Sequence, residues 1–104
     1  MLPRWQLTPR ALDDLDAIWQ YIAQDNLAAA DRVEAAIFEA CESLARHPLL
    51  GARRSEITPL PVRFWTLPKF PNFIVVYKPE TFPLQVVTIL HGSRDLTAAL
   101  AGTG

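Results

Sequence analysis

Two apolar stretches in the second half of the chain, Phe73–Lys78 and Leu84–His91, predict a β-hairpin. Both are rich in β-branched and aromatic residues, and the five residues between them include Pro79 and Pro83. Nearly every position in the two stretches is apolar, rather than every second position. We therefore expect other parts of the chain to cover both faces of these strands.

Apolar residues at steps of three and four predict two helices before this hairpin. The first begins at Thr8 and Pro9, which suit the N-cap and the first helical position. Its apolar face consists of Leu12, Leu15, Ile18, Trp19 and Ile22. The second begins after Asn26 and ends at about Arg46, before His47 and Pro48. Its apolar face consists of Ala29, Ala30, Val33, Ile37, Ala40 and Leu44.

Shorter strand-like segments at residues 2–7 and 62–67 complete the pattern. The order strand, helix, helix, strand, strand, strand predicts a single α+β domain over residues 1–104, with a helical hairpin packed on a mostly antiparallel sheet. The core that this arrangement requires consists of Leu15, Trp19, Ile22, Val33, Ile37, Leu44, Val75, Val87 and Ile89.

Charge divides the chain into two halves. Residues 1–45 carry three basic and eight acidic residues, a net charge of −5, and residues 46–104 carry seven basic and three acidic residues, a net charge of +4. Each half is either a solvated face or, in the basic half, a surface for an acidic partner. The irregular segment 48–61 carries Arg53 and Arg54 and is a candidate contact surface.

Several other features of the sequence add little to the predicted fold and function. The sequence shows neither the roughly 20-residue apolar run of a membrane span nor a signal peptide, and Cys41 is the one cysteine, so we expect a cytoplasmic protein. Cys41 is interpreted as a small core residue, and Asp13, Asp14 and Asp16 as residues that favour the helix dipole. We predict neither a metal site nor a cofactor. Phe38, beside the second apolar face, is either an ordinary exposed aromatic residue or a contact residue.

Six motifs, in this order, resemble the RelE/ParE superfamily of toxins from toxin–antitoxin systems. They are ALDDLDAIWQYIA at 11–23, DN at 25–26, AA at 28–29, HPLLG at 47–51, VVY at 75–77 and ILHGSRD at 89–95. Leu27 stands where many relatives have proline, a departure that affects only a helix start.

The resemblance implies one of two activities. RelE-type members are ribosome-dependent, metal-independent messenger RNA endonucleases, and the candidates for that chemistry are Arg63, Lys69, His91 and Arg94. ParE-type members poison DNA gyrase by binding. The region after Asp95 lacks the aromatic or titratable residues common in the nuclease branch, and the pI is near 6.1. We therefore expect a ParE-like toxin, with the ribonuclease and a non-toxic module that acts only in an antitoxin complex as alternatives.

The same resemblance implies two partners, a cognate antitoxin and DNA gyrase, with the ribosome and its messenger RNA as the alternative target. We do not expect the protein to contact a membrane, and we do not expect the toxin alone to bind DNA directly. The residues predicted to bind the target are His91, Ser93, Arg94 and Asp95. The residues predicted to bind the antitoxin are Leu12, Trp19, Arg53, Arg54, Arg63 and Trp65.

Overall fold

The predicted order of helices and strands is confirmed. A computed structural model describes residues 3–92 and 100 of the chain. Within them the elements are β1 (Trp5–Leu7), α1 (Pro9–Ala23), α2 (Leu27–Arg46), β2 (Arg63–Thr66), β3 (Phe73–Lys78) and β4 (Leu84–His91).

Both helices begin at the predicted capping residues. The Thr8 side-chain oxygen accepts a hydrogen bond from the Ala11 backbone nitrogen at 3.2 Å, and its hydroxyl donates to the Val87 carbonyl at 2.8 Å. The Asn26 side chain accepts a hydrogen bond from the Ala29 nitrogen at 3.0 Å. Each cap satisfies a backbone donor that the first helical turn leaves free, and Thr8 also ties the start of α1 to β4.

The four strands of the described chain form one mixed sheet in the order β1-β4-β3-β2. The central pair β3–β4 and the outer pair β2–β3 are antiparallel, whereas β1 runs parallel to β4. The mostly antiparallel sheet is therefore confirmed. The two helices lie between β1 and β2 in the sequence, so the chain crosses from one edge of the sheet to the other through the helical hairpin.

Both faces of the central strands are buried, as their continuous apolar pattern predicts. The helical face packs Leu15, Val33, Ile37 and Leu44 against Val75, Tyr77, Val86 and Ile89. The opposite face joins Val62, Phe64, Ile74, Val76, Val87, Leu90 and Leu100. Alternate side chains of β3 thus enter two separate clusters, whereas on β4 a register shift opposite Val76 and Tyr77 leaves Val86 and Ile89, three residues apart, in the same cluster. Among the described residues, Ile57 and Leu60 of the segment before β2 pack against the second cluster, and Leu100 is part of it.

Helix α1 lies on the sheet in an orientation rotated from the predicted one. Leu12, placed by the pattern on the apolar face, is 50% exposed, and Ala11 is buried in its place. Trp19 and Ile22, two of the predicted core residues, are only partly buried. The Trp19 indole nitrogen donates to Asp31 of α2 at 3.0 Å, so this ring lies against the second helix.

Asp14 docks α1 onto β4, a role that the dipole interpretation missed. The first turn of α1 carries no acidic residue. One carboxylate oxygen of Asp14 accepts hydrogen bonds from the Ile89 backbone nitrogen at 3.1 Å and from the Thr88 hydroxyl. Because Thr88 is fully buried, this carboxylate satisfies a hydroxyl that water does not reach.

Two smaller predictions concern α2. Cys41 is fully buried in the cluster beneath the helices, which confirms its interpretation as a core residue. The ring of Phe38 packs against the ring of Trp5 on β1, with centroids 5.6 Å apart. Phe38 therefore has an aromatic neighbour within the chain and is an ordinary half-exposed ring.

Candidate functional site

An open apolar groove of about 720 Å³ lies between the helical hairpin and one end of the sheet. Its apolar wall consists of Ile18, Tyr21, Ile22, Val33, Phe70, Phe73 and Ile89. Asp14, Asn72 and His91 add polar groups. Tyr21 is 75% exposed, so its ring stands at the mouth of the groove in contact with solvent. An apolar recess with a few polar groups at its edge is suited to side chains of a partner protein.

His91 is one of the residues that line this groove. It is the last residue of β4 and pairs with Phe73, the first residue of β3. The imidazole stands edge-on to the Phe73 ring, with ring centroids 5.5 Å apart. This contact holds the imidazole as part of the groove wall.

A second surface forms at the other end of β3, where Tyr77 holds the segment that follows α2. The Tyr77 hydroxyl donates to the Pro48 carbonyl at 2.6 Å and accepts from the Gly51 nitrogen at 2.8 Å. Burial raises the pKa of this hydroxyl, whereas the hydrogen bond from Gly51 and the charge of Arg63 act in the opposite direction. The neutral hydroxyl is the form that serves as both donor and acceptor.

Arg63 on β2 binds the same segment from the other side. Its Nη1 atom donates to the Gly51 carbonyl at 2.7 Å and lies 3.5 Å from the Leu49 carbonyl. The Ala52 backbone pairs with Phe64 of β2 through two hydrogen bonds of 2.9 Å. Residues 48–52 are thus held by side chains from two strands and by an added backbone pair.

The segment held in this way displays apolar and basic side chains to solvent. Leu49 is 70% exposed and Leu50 is 48% exposed. Arg53 is exposed, and Arg54 forms a 3.0 Å ion pair with Glu56. We name Leu49, Leu50 and Arg53 the loop surface. That this segment contacts a partner stays a prediction of the sequence pattern, and the pattern did not indicate that buried groups fix its backbone.

A smaller cavity of about 150 Å³ lies between α2 and β2. On one side the cavity is lined by small residues of α2, namely Ala36, Ala40 and Ser43. On the other side it is lined by Trp65 of β2. Lys69 and Glu39 stand at its rim.

The candidates for ribonuclease chemistry are far apart. Arg63 pairs with Tyr77 and His91 pairs with Phe73, so they lie at opposite ends of β3. Four strand residues span about 13 Å. Lys69 lines the smaller cavity, which His91 does not reach. Arg94 lies outside the described residues. The described candidates therefore do not converge on one phosphate-sized space.

The residues predicted to bind partners are distributed over several surfaces. His91 lines the groove, whereas Ser93, Arg94 and Asp95 lie outside the described part of the chain. Leu12 and Trp19 lie on α1 but are not among the residues that line the groove. Arg53 and Arg54 are exposed, and Arg63 and Trp65 are partly buried.

Sequence reasoning missed the groove residues Tyr21, Phe70 and Phe73. They belong to α1, to the β2–β3 turn and to the start of β3. A helical-wheel pattern compares residues of one element only. One feature of the sequence indicated this groove: the aromatic residue Tyr21 follows Ile18 by three positions, beside the apolar face of α1.

Residues 3–92 and 100 contain no group of three His, Cys, Asp or Glu side chains arranged to hold a metal ion. In the same residues, neither helix combines the length and the apolar character that crossing a membrane requires.

A helical hairpin on one face of a mixed sheet, in the order β-α-α-β-β-β, is the architecture expected of a RelE/ParE superfamily toxin. Residues 6–96 match the family described as the ParE toxin of type II toxin-antitoxin system, parDE. The chain belongs to this ParE toxin family.

A solved structure titled "Chromosomal ParDE TA system from P. aeruginosa" has a similar fold, with a TM-score of 0.68 and 26% sequence identity. The alignment covers 84% of this chain and 92% of that chain. Among curated proteins, none matches this sequence.

Proposed function

We propose that this toxin acts by binding DNA gyrase in the cytoplasm, and that a cognate antitoxin neutralises it. The observation that carries the proposal is the separation of Arg63 from His91 by the length of β3. Membership in the ParE family supports the same target.

The separation matters because RNA cleavage needs several groups at one phosphate. A general base or acid works within about 2.6–3.2 Å of the proton that it transfers. About 13 Å of strand lies between the positions of Arg63 and His91. Arg63 also donates to the Gly51 carbonyl, an arrangement that gives it a structural role. These facts favour a binding toxin over a ribonuclease.

The groove supports the antitoxin half of the proposal. Its apolar wall from Ile18, Tyr21 and Ile22 offers anchor sites along the first helix and the sheet. Leu12 and Trp19 lie on the same helix, outside the groove lining, and stay candidate contacts. Carboxylates of the antitoxin then meet the basic residues Arg53 and Arg54.

For binding to the target, we propose that His91 orients the end of β4 and the residues that follow it. In a binding toxin, His91→Ala weakens the target contact by about 1–2 kcal/mol, as for an ordinary interface residue. In a ribonuclease, loss of a proton-transfer group lowers the rate by a factor of about 10² to 10⁴.

The experiment is a parallel assay of purified toxin on gyrase and on translating ribosomes. We expect inhibition of supercoiling, accumulation of cleaved DNA complexes and intact messenger RNA. His91→Ala should retain measurable gyrase inhibition, and Gln20→Ala on the exposed side of α1 serves as a control. Ribosome-dependent RNA cuts that disappear in His91→Ala would overturn the proposal in favour of the ribonuclease.

The antitoxin part is tested by titration calorimetry with the product of the neighbouring reading frame. Tyr21→Arg places a charge at the mouth of the groove and should weaken binding about tenfold or more. Gln20→Arg adds the same charge to an exposed neighbour outside the groove lining and should bind normally. Equal affinities of the two variants would show that the groove is not the antitoxin site.

A further inference from the structure

The loop surface belongs to a segment whose formal charges are all positive. Residues 43–55 contain three arginines, Arg46, Arg53 and Arg54, and neither aspartate nor glutamate. Arg46 lies in the last turn of α2, and Arg53 is exposed after the two leucines. Arg54 forms its ion pair with Glu56, just past the segment. The exposed leucines of the loop surface therefore stand between positive charges in the sequence.

Folding of the chain accounts for only part of this segment. Pro48 and Gly51 have structural roles, since the Tyr77 hydroxyl binds the carbonyl of the first and the nitrogen of the second. Leu49 and Leu50, between them, are 70% and 48% exposed. Neither leucine lines the groove or the smaller cavity. Adjacent exposed apolar side chains with charged residues around them have the composition of a protein contact surface.

The backbone that carries the two leucines is ordered in advance. Arg63 donates to the Gly51 carbonyl at 2.7 Å, and the Ala52 backbone pairs with Phe64 of β2. A contact on a fixed backbone loses little conformational entropy on binding. The groove is a recess that accepts side chains, whereas the loop surface presents side chains to solvent. Such a surface suits a folded partner that itself offers a recess.

We propose that the loop surface binds the gyrase protein, with Leu49 and Leu50 in an apolar recess of gyrase and Arg53 against carboxylates at the edge of that recess. The inference rests on the proposed function and adds a target contact at the opposite end of β3 from His91. The antitoxin contact proposed above also uses Arg53, so a bound antitoxin competes with gyrase for this charge.

Charge and apolar character together select this occupant. A cationic surface attracts both acidic proteins and the phosphates of DNA. Contacts to the DNA backbone are made by charged and hydrogen-bonding groups, so DNA would use Arg53 and leave both leucines in water. A second copy of the chain would bring like charges together, which opposes self-association through this surface. An acidic recess in a protein complements the leucines and the arginine at once.

The test measures binding of purified toxin to DNA-free gyrase and inhibition of supercoiling. The double variant Leu49→Ser, Leu50→Ser removes the apolar contact, and Arg53→Glu reverses the charge; all three side chains are exposed. We expect each variant to keep the wild-type melting temperature and to weaken both gyrase binding and inhibition about tenfold or more. Wild-type affinity in either variant would overturn the inference.

Matched controls change the same chemistry elsewhere on the surface. Leu27→Ser together with Phe82→Ser alters two other exposed apolar residues. Arg32→Glu reverses a charge at an exposed position of α2. We expect both controls to bind and inhibit gyrase as the wild type does. Equal losses in the controls and in the loop variants would show that the effect is not specific to the loop surface, which contradicts the inference.

Two further measurements test the other occupants. Fluorescence anisotropy of a labelled DNA duplex without gyrase should show no binding by the toxin, and duplex binding that Arg53→Glu abolishes and the leucine variant retains would overturn the inference in favour of DNA. Sedimentation should give one oligomeric state for the wild type and the leucine variant. Self-association that the leucine variant loses would assign the surface to a second copy instead. If the wild-type toxin neither binds nor inhibits gyrase, the proposed function itself fails, whereas equal inhibition by the wild type and the loop variants defeats this inference alone.

Discussion

The Tyr77 hydroxyl lies 2.8 Å from the backbone nitrogen of Gly51, across 26 positions of sequence, and joins the centre of the sheet to the segment after α2. The same hydroxyl donates to the Pro48 carbonyl. One buried side chain therefore satisfies two backbone groups of the segment. The contact is so close that position 51 has no room for a side chain.

Gly51→Ala should destabilise the protein. A Cβ atom there would lie 2.6 Å from the Tyr77 hydroxyl oxygen and 2.9 Å from the Phe64 carbonyl oxygen. Because one of these atoms belongs to the backbone, relief requires the segment to move, at about 1–3 kcal/mol. Urea denaturation measures the change. Gly92→Ala, whose Cβ would lie 3.5 Å from its nearest neighbour, is the control and should be near neutral.

Tyr77→Phe should lower the free energy of unfolding by about 1–3 kcal/mol, because the Gly51 nitrogen and the Pro48 carbonyl both lose their partner. Tyr21→Phe removes a hydroxyl from an exposed ring and should change stability by less than about 0.5 kcal/mol. Thermal unfolding followed by circular dichroism compares the two. Equal melting temperatures would contradict a structural role for the Tyr77 hydroxyl.

Asp14→Ala should detach α1 partly from β4. The buried Thr88 hydroxyl and the Ile89 nitrogen would lose their acceptor, at about 1–3 kcal/mol. Hydrogen exchange at the Ile89 amide should accelerate, and the melting temperature should fall. Asp13→Ala and Asp16→Ala, at exposed positions of the same helix, should leave both quantities nearly unchanged.

Stability should decline as pH rises above about 9, because burial and the nearby charge of Glu42 raise the pKa of Cys41 from 9.0 to about 12. Between these values the unfolded chain releases a proton that the folded chain retains, so alkaline pH favours unfolding. Cys41→Ala should show a shallower decline in urea denaturation. A steeper or equal decline in the variant would contradict the assignment to Cys41.

The same burial protects the thiol chemically. A thiol reagent should modify Cys41 slowly in native buffer and rapidly in denaturant, because only the exposed thiolate reacts readily. Rapid modification of the native protein would show that the core around α2 opens more often than its packing implies.

Local patterns in the sequence determined the elements and their order. The capping residues Thr8 and Asn26, the helical apolar steps and the continuous apolar strands each describe a relation among neighbouring residues. Such relations act over a few residues, so they can be read before the fold is known. Burial of both faces of β3 and β4 followed from the same reasoning.

Tertiary structure alone decided the sites. Asp14 meets Ile89 across 75 positions, Tyr77 meets Gly51 across 26, and Arg63 and His91 are held at opposite ends of β3. Apolar periodicity indicates which face of an element is buried, but it does not specify strand register or the rotation of a helix on the sheet. Register and helix rotation follow from packing of the whole core, and they determine which distant polar groups meet.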